Sequence, residues 1–307
     1  MRAAVSVRGL TRRFGDLTAV AGLSFDVADG ELFGLVGPDG AGKTTTLRML
    51  AGVLPPSEGD ATVVGHSVAR EPDAVRPHIA YMAQRFGLYE DLTVRENLDF
   101  YADLYRVPKA ERPARLERLY AFSDLGAFQD RLAGNLSGGM KQKLSLSCAL
   151  IHRPDVLLLD EPTFGVDPIS RRDLWLILHE MVAEGVTVIV STAYLDEAER
   201  CDRVAFLHDG HVLALDAPAA LQRSLPGRVL AVRADDPRAA RDALRDAPGV
   251  ERASLFGDRV HAVVTESADA GAIRRAVAAA GVEVGDVRAV EPSLEDVFIH
   301  RVAGNGG

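Results

Sequence analysis

Several features are scarce in this chain of 307 residues, and each scarcity argues against a class of protein. The chain has two cysteines, Cys148 and Cys201, far apart in sequence, which favours a reduced cytosolic protein over one held by disulfides. The longest apolar runs, Val156–Leu159 and Val186–Val190, are far shorter than the roughly 20 residues of a membrane-spanning helix. The first 16 residues contain arginines but no apolar segment, so we predict no signal peptide. Any membrane role is therefore expected to depend on a partner.

Positive charge is also in deficit. Lysine and arginine together number 35, whereas aspartate and glutamate number 44, which gives a net charge of −9. A chain this acidic lacks the general attraction to nucleic acid that a basic surface provides, so we expect no nucleic-acid partner. Hydrophobic residues make up 47% of the chain, which is enough for the well-buried core of a globular protein.

The order of apolar segments predicts an α/β fold. The segment Val5–Val36, punctuated by glycines, predicts antiparallel strands followed by a buried strand. Two later strands are predicted at Asp155–Asp160 and Val186–Ser191, with a helix at Ile169–Glu184 between them. This order indicates a parallel core sheet covered by helices. The segment Leu92–Lys143 predicts a helical insertion before the sheet resumes.

The pattern changes near Pro226. There we predict a boundary between a domain of residues 1–225 and a small accessory domain of residues 226–307. Beyond the boundary the predicted order is strand, helix, two strands around Gly257-Asp258, helix and strand. That order is compatible with a ferredoxin-like α/β domain, and a last helix is predicted at Leu294–Val302.

One segment matches a phosphate-binding loop. Residues 37–44 read GPDGAGKT, match the pattern GxxxxGK[ST], and lie between a predicted strand and a predicted helix. Glycines let backbone N–H groups surround phosphate oxygens, and the helix adds the positive end of its dipole. Lys43 can supply charge to the outer phosphates, and the Thr44 hydroxyl can reach Mg²⁺. We therefore expect ATP contacts at Gly37, Pro38, Asp39, Gly40, Ala41, Gly42, Lys43, Thr44 and Thr45.

Two adjacent carboxylates, Asp160 and Glu161, follow the apolar run Val156–Leu159 of a predicted strand. An apolar strand capped by acids is common and would carry no functional meaning alone. Together with the phosphate-binding loop it predicts that Asp160 holds Mg²⁺ and that Glu161 is the general base.

The segment Leu136-Ser137-Gly138-Gly139-Met140 lies shortly before that strand and opens a predicted helix. A Ser-Gly-Gly turn at a helix start offers a hydroxyl and backbone donors to an anion. At this point the chain resembles the ATP-binding cassette (ABC) family, whose signature is LSGGQ. Met140 stands in place of the usual glutamine, as in the branch that exports drugs and polysaccharides.

The resemblance covers roughly Val5 to Ala220 and implies further roles. It implies that Phe14 stacks on adenine and that Gln84 contacts Mg²⁺ and senses the channel subunit. It also implies a head-to-tail pair of cassettes, in which Ser137, Gly138 and Gly139 complete the ATP site of the partner. The expected fold is a P-loop NTPase cassette with a core parallel sheet, an antiparallel β-subdomain and a helical subdomain.

Two positions depart from the family pattern. Asp39 places a carboxylate in the phosphate-binding loop, and we expect it to point away from the phosphates and to bond its own loop. Ala193, within Ser191-Thr192-Ala193-Tyr194, stands where the family has a histidine that contacts the γ-phosphate. Losing one preorganised contact of this kind costs about 100- to 1,000-fold in rate.

These features predict an ATPase at the cytoplasmic face of the plasma membrane, peripheral to an integral membrane permease and paired with a second cassette, identical or different. Export is the expected direction, and the region from Phe86 to Tyr89 is the predicted docking segment. Because of Ala193, a weakly hydrolysing regulatory cassette of a heterodimer is the alternative. A soluble ABC ATPase acting on ribosomes or DNA and a P-loop kinase are less favoured, since the chain has one cassette, no long coiled coil and the Ser137 segment.

Overall fold

The computed structural model describes residues 3–84, 87–265 and 268–304. The chain divides into two compact units, Met1–Leu213 and Ala214–Gly307. The domain division at residues 225 and 226 stays a prediction. No helix among the described residues combines the length and the apolarity that crossing a bilayer requires.

The first unit contains two sheets, as the sequence predicts. The antiparallel sheet has the order β2-β1-β4-β5, and the second sheet has the order β10-β9-β3-β8-β7-β6, with parallel pairing from β9 to β6. Their strands are β1 (Ala3–Phe14), β2 (Leu17–Ala28), β3 (Leu32–Val36), β4 (Glu58–Val63), β5 (His66–Ser67), β6 (Ile79–Met82), β7 (Val156–Asp160), β8 (Thr187–Thr192), β9 (Arg203–His208) and β10 (His211–Asp216).

Helices cover the parallel sheet and form the predicted insertion. Helix α1 packs on β7, and α6 packs on β8 and β3. The insertion consists of α3, α4 and α5, with both α3 and α4 packed on α5. The helices of this unit are α1 (Lys43–Leu50), α2 (Pro72–Val75), α3 (Val94–Leu104), α4 (Arg112–Ser123), α5 (Gly138–Leu150), α6 (Pro168–Ala183) and α7 (Leu195–Ala198).

The parallel strands form because their residues are apolar throughout. Every residue of β3, β7 and β8 is buried, which is the pattern of strands covered on both faces. Parallel strands direct their carboxyl ends to one edge of the sheet, so Val36, Asp160 and Thr192 end at the same edge. The loops that follow these strands carry the predicted site residues.

The two cysteines lie in the core of the first unit. Cys148 is buried within α5 and Cys201 is buried just before β9, and neither forms a disulfide. Burial raises the pKa of both thiols far above their ordinary value.

The second unit has the predicted ferredoxin-like order. A four-stranded antiparallel sheet runs β12-β13-β11-β14, and helices α9 and α10 cover one face with Leu244, Ile273 and Val277 in the core. Its elements are α8 (Pro218–Arg223), β11 (Arg228–Ala234), α9 (Pro237–Arg245), β12 (Val250–Phe256), β13 (Arg259–Val264), α10 (Ala270–Ala279), β14 (Val284–Val290) and α11 (Leu294–Gly304).

A buried polar network ties α11 to β13. The Asp296 carboxylate lies 3.0 Å from Nδ1 of His261 and accepts hydrogen bonds from the hydroxyl of Ser293 at 2.7 Å and from its backbone N–H at 2.9 Å. The ring of Phe256 stacks on His261 at 4.2 Å. Burial raises the pKa of Asp296, but the hydrogen bonds from His261 and Ser293 outweigh it and hold that pKa below its ordinary value.

We expect Asp296→Asn to lower the free energy of unfolding of the second unit by about 1–3 kcal/mol at pH 7, because buried partners lose a charged acceptor. A depressed pKa stabilises the fold above the ordinary aspartate value of about 3.9 and loses that contribution as pH falls through the folded value. The difference in the free energy of unfolding between wild type and Asp296→Asn should therefore become smaller below about pH 4.

Urea denaturation followed by circular dichroism measures this, and Trp175 fluorescence reports the first unit separately because Trp175 is the one tryptophan of the chain. Asp286→Asn, at an exposed position of β14, is the control and should change little. An equal difference in the free energy of unfolding at pH 7 and pH 3 would contradict the role assigned to the ionised Asp296 carboxylate.

Candidate nucleotide-binding site

The loop between β3 and α1 is held by close backbone contacts. A Cβ on Gly37 would lie 2.1 Å from the carbonyl oxygen of Leu207, and one on Gly42 would lie 2.6 Å from that of Ala19. Gly42 also has φ of 100°, where only glycine is unstrained. These glycines fix a loop that ends at the N-terminus of α1, where the first N–H groups have no intrahelical partner.

Lys43 is buried beneath this loop, with 4% of its side chain exposed. Its Nζ donates to the carbonyl oxygens of Gly37 at 2.7 Å and Pro38 at 3.0 Å, and it forms an ion pair with Glu161 at 3.0 Å. The lysine is therefore fixed between the loop and the end of β7.

Asp160, the last residue of β7, accepts hydrogen bonds from three elements. The hydroxyl of Thr44 on α1 lies 3.0 Å from its carboxylate, that of Ser191 on β8 lies 2.8 Å away, and that of Tyr81 on β6 lies 3.3 Å away. Burial, followed by the charge of Asp160, raises the pKa of Tyr81. Asp160 therefore fixes three neighbouring elements about one carboxylate.

Glu161 follows directly, with a left-handed backbone at φ of 48°. A non-glycine residue in this region is uncommon and is held there by its surroundings. Its N–H donates to the hydroxyl of Ser191 at 2.9 Å, and its carboxylate accepts from Gln84 at 2.9 Å. The structure thus brings Lys43, Gln84 and Glu161 together.

These groups border a cavity of about 450 Å³. Phe14, 45% exposed, lines it from the end of β1, with Arg12 stacked on its ring. Asp39 lines it too, and no hydrogen bond of its carboxylate to its own loop is found in the described part of the chain. The residues around the cavity are Phe14, Leu17, Ala19, Asp39, Gly40, Ala41, Gly42, Lys43, Thr44, Thr45, Gln84 and Glu161.

Ala193 lines a second cavity of about 180 Å³, which shares Asp39 and Glu161 with the first. Beside it, the buried carboxylate of Glu197 accepts from Thr192 at 2.7 Å and from Thr163 at 2.9 Å. This network fixes the backbone on both sides of the cavity, but position 193 contributes only a methyl group.

The Ser137-Gly138-Gly139 segment is not among the residues around either cavity. Ser137 caps α5 by accepting the N–H of Met140 at 3.3 Å. A Cβ on Gly139 would lie 2.2 Å from the hydroxyl of Ser170 on α6, whereas one on Gly138 would meet nothing within 4 Å. Gly139 is therefore required for packing, and Gly138 leaves an open surface.

The sequence predicted no role for three residues of the site: Tyr81, Ser191 and Glu197. Tyr81 and Ser191 are polar residues within or at the end of strongly apolar runs, and that position could have identified them because buried polar groups need partners. Glu197 lies six residues after Ser191, outside any apolar run, and no sequence signal marks it.

Comparison with known proteins agrees with this geometry. A family model described as ABC transporter matches residues 20–164, and one described as ATP-binding protein DrrA1-3-like, C-terminal domain, matches residues 217–302. Among solved structures, one titled as the ATP binding subunit of an ABC transporter is 32% identical, with a TM-score of 0.66, and covers 72% of this chain and 92% of that one.

Curated relatives extend the similarity along the chain. A probable multidrug ABC transporter ATP-binding protein, YbhF of Escherichia coli, is 44% identical over 99% of this chain, which spans only 53% of that protein. A Nod factor export ATP-binding protein I of Paraburkholderia xenovorans is 38% identical over 97% of this chain and 96% of its own length. A daunorubicin resistance ATP-binding protein, DrrA2 of Streptomyces coeruleorubidus, is 37% identical over 96% of this chain and 94% of its own. The chain therefore belongs to the ATP-binding cassette family of transporter ATP-binding proteins.

Proposed function

We propose that this protein binds and hydrolyses ATP to energise an ABC exporter, working with integral membrane permeases and a second cassette. The observation that carries the proposal is the convergence of Lys43, Thr44, Asp160, Glu161 and Gln84 at one end of the parallel sheet. The relatives whose names mention drug and Nod factor export support the direction of transport.

The cavity fits ATP in size and in chemistry. Its volume of about 450 Å³ lies within the usual range of small-molecule sites, about 300–1,000 Å³. The glycine loop and the first turn of α1 offer backbone donors to phosphates, and Lys43 adds a fixed cation. Phe14, exposed at the edge of the same cavity, offers a ring on which adenine can stack.

The oxygen donors of the site also fit Mg²⁺. The Thr44 hydroxyl contacts the Asp160 carboxylate, and Thr44 and Gln84 line the cavity together, so the region offers the hydroxyl, carboxylate and amide oxygens that this cation prefers. When bound, Mg²⁺ neutralises charge on the phosphate oxygens. Thr44, Asp160 and Gln84 are the residues that would hold it.

Glu161 is placed to act as the general base. Its carboxylate takes a proton from water as the water oxygen bonds to the γ-phosphorus, and the bond from that phosphorus to the β–γ bridging oxygen breaks. Lys43 contacts Glu161 at 3.0 Å and is also the cation nearest the phosphate loop. Drawing Lys43 toward phosphates weakens this ion pair and leaves the Glu161 carboxylate available to water.

The first unit has an exposed apolar surface that is suited to docking on a permease. Tyr89, Phe100 and Leu104 are exposed large apolar residues that follow Gln84 in the chain, and Tyr89 and Phe100 contact edge to face. Exposed apolar patches of this kind mark interaction sites. Of the predicted docking segment, Phe86 lies outside the described residues. Attachment through this surface would make the protein peripheral at the cytoplasmic face of the membrane.

A weakly hydrolysing cassette in an asymmetric pair is the second candidate. Ala193 borders the Glu161 cavity without a polar group, whereas Ser137, Gly138 and Gly139 are intact and can complete the site of a partner. The 309 aligned residues amount to 53% of the YbhF relative, so that protein has room for a second unit of similar length.

Lys43→Ala should weaken ATP binding at least about tenfold, because it removes a charged donor fixed beside the phosphate loop. Titration with a fluorescent ATP analogue measures the affinity. Lys109→Ala, an exposed lysine away from the cavity, is the control and should bind as wild type does. Unchanged affinity in Lys43→Ala would rule out this loop as the phosphate site.

Glu161→Gln should retain ATP but lower the turnover rate by about 100- to 10,000-fold, because the amide cannot accept the proton from water. The release of phosphate by the assembled transporter gives the rate, with Glu180→Gln on the exposed face of α6 as the matched control. The base assignment fails if Glu161→Gln turns over at the rate of the control.

Ala193→His should raise the intrinsic rate by up to about 100- to 1,000-fold, because it restores a polar contact at the shared cavity. Ala193→Leu, which adds bulk without an imidazole, is the control. The wild-type chain alone should be slow and should speed up when a second cassette is added. Fast turnover by the wild-type chain alone, with no gain from Ala193→His, would exclude the asymmetric pair while leaving the ATPase assignment intact.

A further inference from the structure

A separate cleft of about 270 Å³ lies within the first unit, where α4 faces the ends of α5 and α6. It shares no residue with the two cavities beside Glu161. Its apolar lining consists of Leu119, Phe122, Leu150, Ile151, Pro154, Met181 and Val186. Several of these are nearly buried, so the cleft has an apolar floor.

The edge of this cleft is positively charged. Three arginines, Arg115, Arg118 and Arg153, line it together with one carboxylate, that of Glu184. With Glu111, which pairs with Arg115, the local balance is three positive charges against two negative, or +1, in a chain whose net charge is −9. An excess of positive charge around an apolar cleft favours a ligand that carries an anionic group on an apolar body.

Two polar groups of this edge lack partners. The guanidinium of Arg153 forms no hydrogen bond or ion pair within residues 3–84, 87–265 and 268–304, although Arg118 is paired with Glu184. Nε of Arg115 is buried and has no hydrogen-bond partner, although its Nη1 donates to the carbonyl oxygen of Ile151 at 2.7 Å and its Nη2 forms an ion pair with Glu111 at 2.5 Å. Arg153 is exposed, so its guanidinium is accessible to an anion at this edge, and the buried Nε of Arg115 is a donor that the described protein atoms leave unsatisfied.

The backbone keeps Arg153 at the cleft. Its φ of 60° lies in the left-handed region, which asparagine and glycine adopt more readily than arginine. Pro154 follows directly and restricts the chain further. The Arg153 side chain is therefore anchored at a fixed backbone position between α5 and β7.

We propose that this cleft binds a medium-chain fatty acid, with its carboxylate at Arg153 beside Arg115 and its hydrocarbon chain on the apolar floor. An engineered cavity of about 150 Å³ accepts benzene, so about 270 Å³ has room for a chain of roughly eight carbons. A carboxylate matches the planar guanidinium fork and carries the charge that the edge lacks. The site is independent of ATP and of the proposed transport function.

Methyl NMR of the full chain tests the location. The chain has five methionines, of which Met181 lines the cleft, and Met181→Leu identifies its signal. Octanoate, added below its micelle concentration without nucleotide, should shift the Met181 methyl signal saturably and leave those of Met49, Met82 and Met140 in place. A saturable shift confined to other methionines, or no saturable shift, would overturn the proposal.

Substitution tests the role of the charged edge. Arg153→Asn keeps a residue suited to left-handed backbone and should weaken octanoate binding about tenfold. Arg106→Asn is the matched control, because Arg106 is exposed, has φ of 55° and lies outside the cleft, so binding should not change.

Comparison of ligands separates the contribution of the carboxylate head group from that of the hydrocarbon chain. 1-Octanol should bind at least about tenfold more weakly than octanoate, and acetate should give no saturable shift, because each lacks one half of the proposed recognition. Equal binding of octanol and octanoate, or equal binding to Arg153→Asn and Arg106→Asn, would show that the arginines do not recognise the ligand and would overturn the assignment.

Discussion

The carboxylate of Asp160 is almost fully buried, and it holds the carboxyl-terminal edge of the parallel sheet together. An uncompensated buried charge is strongly destabilising, so the fold must supply donors around it. Thr44, Ser191 and Tyr81 provide them from α1, β8 and β6, and through them the phosphate loop is fixed to both neighbours of β7. The geometry of the nucleotide site therefore follows from satisfying one charge.

A second electrostatic relation is built on the first. Lys43 and Glu161 form an ion pair in a poorly solvated place, where charges interact more strongly than in water. In the proposed function, Lys43 is the group that phosphate would require and Glu161 is the group that water would require. Under that proposal, binding and chemistry would depend on the same two side chains, and a phosphate group that attracts Lys43 would change the surroundings of the Glu161 carboxylate.

The sequence predicted the parts of this architecture that depend on regular patterns. The fully apolar runs of β7 and β8, the glycine loop before Lys43 and the order of elements in the second unit all match the structure. Contacts between distant polar residues were not predictable, because Ser191 joins Asp160 and Glu161 only through parallel pairing of strands 31 residues apart. The expected bond of Asp39 to its own loop is absent from the described residues, since local propensity does not fix a side chain at an open cavity.

The burial of Cys148 and Cys201 has a practical consequence. Both thiols are enclosed and their pKa values are raised, so little reactive thiolate exists at neutral pH. Maleimide and similar thiol reagents should therefore not react with Cys148 and Cys201 in the native protein. A single cysteine introduced at the surface would then carry a spin label or a fluorophore alone, which makes this chain suited to distance measurements without removing its own cysteines.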